Sequence, residues 1–336
     1  MRLPLPCDEA LWTATNSAEV GRIESSLAAN GVKPISFLEG LKKTLNGQTV
    51  RTNSFGRTIL MSGLLSVSWH MNQRDLQVNS LGVSSALGGR DKWRGALTRA
   101  FDLWKTDFDQ SLLGNNGSLP DPYLVADRRN EHVVSQNRIV LHHLAHMAMH
   151  VDIVDCQIFA RAKRLLGRTI GNQDLSSAQR RMKDNWAPTA KARDATWYAL
   201  QFLCTVLLPQ EDSNNPGYED STFDYSARDD VLLNRPWVMY FAALIVWSYA
   251  FALEGPTTQQ VPQDYDFDGQ VREMRVYLRR LGRSSSPEDL KDFRGFNGCT
   301  AMLMVLRRVF EKTRWELLHE ASVLLSNCIA LISPQS

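Results

Sequence analysis

Apolar side chains recur at three- and four-residue intervals along most of this chain, the pattern of helices that bury one face. "SFLEGLKKTLNG" (Ser36 to Gly47) sets Phe37, Leu38, Leu41 and Leu45 at that spacing and closes on glycine. "FGRTILMSGLLSVSWHM" continues it with Ile59, Leu60, Leu64, Val67 and Met71. Between Asp91 and Leu113, a stripe of Trp93, Leu97, Ala100, Phe101, Trp104 and Phe108 opposes a face of Lys and Asp. The same rhythm predicts helices over His132 to Gly167, Asp174 to Asn185, Lys191 to Leu208, Pro236 to Leu253 and Asp268 to Gly282. A last one spans Gly298 to Leu331, with a bend or break near Lys312. Strand-length alternation is not evident, and no Asn-Gly hairpin joins two such runs. The expected fold is all-α: a single large irregular domain over residues 1–336, with about ten helices.

Two polar stretches interrupt the helices. "PQEDSNNPGYEDSTFDYSARDD" (about 209–230) and "EGPTTQQVPQDYDFD" (about 254–268) read as acidic loops. They flank "PWVMYFAALIVWSYAFAL", in which Ser248 is the only clearly polar residue. A bilayer span needs about 20 such residues and a flanking excess of cations. This run is shorter, and carboxylates lie on both sides of it. The expectation is a buried central helix and no membrane partner, with a membrane-associated helical protein as an alternative.

Composition narrows the class. At 43% apolar and 22% charged, the chain is a folded protein rather than a disordered one. A net charge of +2 gives the chain as a whole no electrostatic case for nucleic acid. Five cysteines, the closest pair 29 positions apart, leave no Cys-x2-Cys half-site. With no apolar leader in "MRLPLPCDEALW", they suit a reducing compartment. Neither a Gly-x-Ser-x-Gly elbow nor a phosphate-cradling glycine loop occurs, so no catalytic residue is assigned and no enzyme is expected.

Four of the seven histidines crowd into "VLHHLAHMAMH". On a helix, His142, His146 and His150 fall one turn apart on one face, a spacing that can chelate zinc or copper. The glutamate of His-Glu-x-x-His is missing, because His143, Leu144 and Ala145 fill the gap. The three are therefore read as structural hydrogen-bonding groups on a core-facing helix. A metal-binding helical protein using His142, His146 and His150 is the alternative. Basic clusters at "RAKRLLGR" and "QRRMKDNW" can read phosphate or an import receptor, but are taken as solvated helix faces.

Several stretches in order then resemble one family. They are "LPCDEALWTA", "SFGRTILMSGLLSVSWHMNQRD", "FDLWKTDFD", "LHHLAHMAMHVDIVDCQIFA", "RPWVMYFAALIVWSYAFALEG" and "RWELLHEASVLLSNC". Together they are similar to the regulatory, or middle-homology, domain of fungal transcription factors, of the kind found behind N-terminal Cys2His2 zinc fingers. No Cys-x2-4-Cys-x12-His-x3-5-His pattern is present in these residues, so the finger and its zinc are missing here. The resemblance implies a nuclear protein, shuttling or not with the cytoplasm, whose helical domain controls transcription. Its implied partners are transcriptional co-regulators, a partner subunit or a small-molecule effector. DNA is then reached only through the missing module, with no DNA-binding residue and no cofactor in this chain. A pocket is expected between the histidine helix and the Trp237–Leu253 helix, where aromatic, apolar and imidazole groups combine.

Overall fold

Local capping chemistry sets where the first helices begin. The side chains of Asp8, Asn16 and Ser36 each accept a hydrogen bond from a first-turn backbone N–H that has no partner within the helix. They start α1 (Glu9–Thr13), α2 (Ser17–Ala29) and α3 (Phe37–Leu45). A computed structural model of the protein describes residues 3–31, 33–80, 91–113, 131–165, 167–209, 223–257 and 266–333. Among these residues it is all-α, with thirteen helices. Most of the first acidic loop, residues 210–222, and most of the second, 258–265, lie outside the described residues. The Cα positions group into two compact units, residues 1–145 and 146–336.

The first unit holds α1 to α3, α4 (Ser54–Ser80), α5 (Asp91–Leu113) and α6 (Glu131–His150) as far as Ala145. Its core joins Leu60, Met61 and Leu64 of α4 to Leu97, Phe101, Trp104 and Phe108 of α5. The α5 stripe expected from spacing is thus buried, apart from Trp93, which is half-buried. Gly63 lets α4 approach α3, since a Cβ there would meet the Phe37 ring at 2.8 Å. One buried cation is fully engaged: Arg57 pairs with Asp107 at 3.0 Å and donates to the Val50 carbonyl at 3.3 Å. The Trp104 indole N–H donates to the Arg57 carbonyl at 2.8 Å, tying α5 to α4.

The second unit continues with α7 (Ile153–Phe159), a hairpin of β1 (Arg164–Leu165) and β2 (Arg168–Thr169), and α8 (Asn172–Arg180). A π-helical turn over Arg181–Trp186 leads to α9 (Ala190–Leu207), α10 (Arg235–Glu254) and α11 (Phe267–Gly282). Two 3-10 turns, Pro287–Lys291 and Phe296–Gly298, precede α12 (Thr300–Glu311) and α13 (Glu316–Ile332). The expected break near Lys312 is the one that separates these last two helices.

The helix expected over His132 to Gly167 needs correcting. It ends at His150, and Asp152 caps a new helix by accepting from the Val154 N–H. Past Ala160 the chain turns at Arg161, which holds a left-handed backbone (φ 61°). It then forms the hairpin, whose strands of two residues are too short to show alternation.

Helix α10 is the buried helix that its composition predicted. It is long and apolar enough to cross a bilayer by length and composition, yet 72% of its apolar window is covered by protein. It packs against α7, α9, α12 and α13. Trp247 is fully buried between Phe159 and Phe251, with ring centroids at 5.4 and 5.3 Å. Ser248 is buried beside Cys156 of α7.

Candidate functional site

Helix α6 places the four clustered histidines, and each finds a different neighbour. In the first unit, His142 Nε2 lies 3.0 Å from an Asp102 carboxylate oxygen on α5. His143 Nδ1 lies 2.8 Å from the Ile139 carbonyl one turn back. In the second unit, the His146 ring stacks on Tyr198 of α9, with centroids 4.0 Å apart and planes 10° apart. His150 lies 3.9 Å from Asp194, also on α9. Burial and repulsion from Glu288 push the Asp194 carboxyl above its ordinary range, against the pull of Arg193 and His146.

Near the C-terminal end of the histidine helix, Trp186 reaches both that helix and α10. Its indole N–H donates to the His150 carbonyl at 2.9 Å, and its ring meets Tyr249 of α10 edge-on at 6.2 Å. A side chain bridges the two helices there.

A cleft of about 450 Å³ opens elsewhere in the second unit, at the C-terminal end of α10. Glu254, Glu273, Tyr277, Arg280 and Asn297 line it, with Val276 on its apolar side. The Glu254 carboxylate accepts from the backbone N–H groups of Gly295 (2.8 Å) and Asn297 (2.9 Å). Arg280 donates to the carbonyls of Arg294 and Gly295, both at 2.7 Å. Gly295 carries φ 73°, which turns the chain so that these groups converge. The buried Tyr277 hydroxyl donates to the Phe296 carbonyl at 2.9 Å. Glu254 and Arg280 are thus held by backbone, while Glu273 is exposed and has no cationic partner among the described residues. Its lining carries two carboxylates, Glu254 and Glu273, against one guanidinium, Arg280. Sequence spacing could not assemble this site, because its residues come from three separate segments.

The thiols offer no activated nucleophile among those whose acidity is perturbed. Burial pushes Cys204 and Cys299 up to about 12, and pushes Cys156 and Cys328 upward too. At neutral pH these four are neutral thiols, three of them buried and Cys204 half-buried.

Comparison with known proteins gives the chain its setting. Residues 1–106 match the family described as "Fungal specific transcription factor domain". The chain is 27% identical, over 97% of its own length and 34% of the relative's, to the "Nicotinate catabolism cluster-specific transcription factor" of Emericella nidulans. It is 24% identical to "Zinc finger protein klf1" of Schizosaccharomyces pombe, covering 98% of this chain and 38% of that one. A third relative, "Zinc finger protein zas1" of Schizosaccharomyces pombe, is 26% identical over 77% of this chain and 26% of its own. The chain therefore spans about a third of the length of the first two curated relatives, and about a quarter of the third. No solved structure matches. The resemblance carried by the sequence motifs is borne out as a likeness: the chain is similar to fungal transcription factors along nearly its whole length, and residues 1–106 match the fungal specific transcription factor domain.

Proposed function

We propose that these residues form the regulatory body of a fungal-type transcription factor, working in the nucleus and answering a small-molecule effector bound in the cleft at the end of α10. The observation that carries the reading is the likeness to transcription factors along 97% of the chain, combined with a polar cleft built from three segments of the fold. A ligand there touches α10, α11 and the turn before α12 at once, so it favours one packing of those elements over another. Its chemistry follows from the charges: a compact polar molecule bearing an ammonium or amidinium group, facing Glu273 and the carboxyl end of α10. Regulation then consists of passing that packing preference to co-regulators or a partner subunit, and base reading is left to a separate zinc module.

Thermal-shift screening of a metabolite library against the whole chain tests this. A cationic ligand at 100 times its Kd adds about 2.7 kcal/mol to stability. That corresponds to a rise of roughly 5–10 °C for a unit of this size. Glu273→Gln should melt where the wild type does, since the side chain is exposed, and should lose the ligand shift. A library rich in cationic metabolites that yields no stabiliser, or a stabiliser indifferent to Glu273→Gln, contradicts the effector site. A fluorescent fusion that stays out of the nucleus when joined to its zinc module contradicts the nuclear setting.

A further inference from the structure

A net charge of +2 conceals a marked local imbalance. Between Arg161 and Lys183 the chain carries seven cations and a single carboxylate, Asp174. They lie along the turn that leaves α7, the hairpin, α8 and the π-helical turn after it. Three are engaged: Arg168 pairs with Asp174 at 3.0 Å, Asp155 grips Arg181 through bonds of 2.6 and 2.8 Å, and Lys183 sits 5.5 Å from the centre of the Phe251 ring. The other four, Arg161, Lys163, Arg164 and Arg180, are exposed and have no carboxylate partner among the described residues.

The backbone that presents them is well fixed. Arg161 adopts its left-handed conformation while Asn327 of α13 donates to the carbonyls of Ala160 and Arg161, at 3.3 Å each. For a non-glycine residue that conformation is uncommon and costs energy. Here it swings the chain out of α7 and into the hairpin. Gly167 makes the tip with φ 79°, and the Ile170 N–H closes the base on the Lys163 carbonyl at 2.9 Å.

What surrounds the cations decides the partner. Among the described residues of this segment, the exposed positions between them are small or polar: Gly167, Thr169, Asn172, Gln173 and Ser176. Leu165, Ile170 and Leu175 are half-buried, and Ala178 and Met182 are buried. A protein partner needs apolar or aromatic anchors at the centre of its contact, and the described residues of this segment expose none. Cations interleaved with hydroxyl and amide side chains are instead the set that holds phosphate oxygens of a nucleic-acid backbone. We propose that the hairpin and the α8 face form a sequence-independent contact for the phosphate backbone of duplex DNA. This inference rests on charge and exposure alone, independently of the effector cleft. It gives the chain a direct touch on DNA that its overall charge did not suggest, without any reading of bases.

Fluorescence anisotropy of the whole chain on a short duplex of random sequence tests it. Four phosphate contacts give a slope of log affinity against log salt of about −3.6, so affinity falls roughly 100-fold between 50 and 200 mM salt. The variant Lys163→Glu, Arg164→Glu, Arg180→Glu should bind at least 10-fold more weakly at low salt, with the slope shrinking towards about −1. A control with the same change in net charge, Arg22→Glu, Lys42→Glu, Arg272→Glu, alters exposed cations elsewhere and should retain most of the binding. Arg180→Gln alone gives a milder version, with a few-fold loss, if the triple variant melts abnormally. No DNA binding at 20 mM salt overturns the proposal. So does equal loss in the patch and control variants.

Discussion

Trp247→Ala is expected to be among the most destabilising single changes in the second unit, lowering the unfolding midpoint by about 10 °C. The side chain is fully buried at the middle of α10, stacked on Phe251 at an interplanar angle of 11° and tilted against Phe159 of α7. Removing a buried tryptophan to alanine costs about 3–5 kcal/mol, the lost transfer energy together with the cavity left behind. At roughly 2–4 °C per kcal/mol for a unit of this size, that gives the stated drop. The indole N–H is buried without an acceptor among the described residues. Trp247→Phe therefore gives up no hydrogen bond and keeps most of the ring contact, and should cost less than half as much. Calorimetry or circular-dichroism melts of the two variants check the ordering. Equal losses would mean that the ring is not packed as described.

The second large effect is expected from Asp230→Ala. This carboxylate is almost wholly buried at the entrance to α10. It holds Arg235 through two bonds of 2.6 Å and accepts from the Tyr225 hydroxyl at 2.9 Å and the Leu232 N–H at 2.8 Å. Removing one partner of such a pair leaves a poorly solvated charge, which costs about 3–5 kcal/mol. The double variant Asp230→Ala, Arg235→Ala should be less unstable than the two single losses summed, because the stranded guanidinium is gone. A spectroscopic signature accompanies it. Burial and the neighbouring Asp230 charge hold the Tyr225 hydroxyl far above its ordinary acidity range. Without Asp230 the tyrosine should ionise at a lower pH, visible as tyrosinate absorbance. Unchanged melting in Asp230→Ala would contradict the network.

These expectations also show which parts of the fold could be read in advance. Helix α5 runs from Asp91 to Leu113, the limits given by its apolar stripe, because that stripe faces one continuous core. The break after Glu311 was visible in the loss of periodicity. Helix α2 escaped notice for the opposite reason: none of its residues is buried, so it has no apolar face to betray it. Its signal was in the cap, where Asn16 accepts from Glu19 N–H and Glu19 reaches back to Thr15. The single helix drawn through Asp152 and Arg161 failed because both positions carry helical-looking neighbours, and only the aspartate cap and a left-handed arginine end the periodicity.

The site was less legible than the fold. The histidine spacing was plain, but the neighbours Asp102, Tyr198 and Asp194 come from helices distant in sequence. The cleft depends on Gly295 and Asn297 meeting Glu254, some forty residues away, which no local pattern encodes. The basic run at Arg161 was visible as letters. Which of its charges are already paired depends on the tertiary placement of Asp155 and Asp174.

The central claim is that this helical body regulates transcription. The most direct measurement fuses it to an unrelated DNA-binding module in a fungal cell and reads a reporter gene carrying that module's sites. Reporter expression is expected to change several-fold relative to the module alone, and Trp247→Ala to weaken that change in step with the folded fraction it removes. A fusion that is present in the nucleus, folded and bound at the promoter, yet leaves expression unaltered under every effector tried, would contradict it.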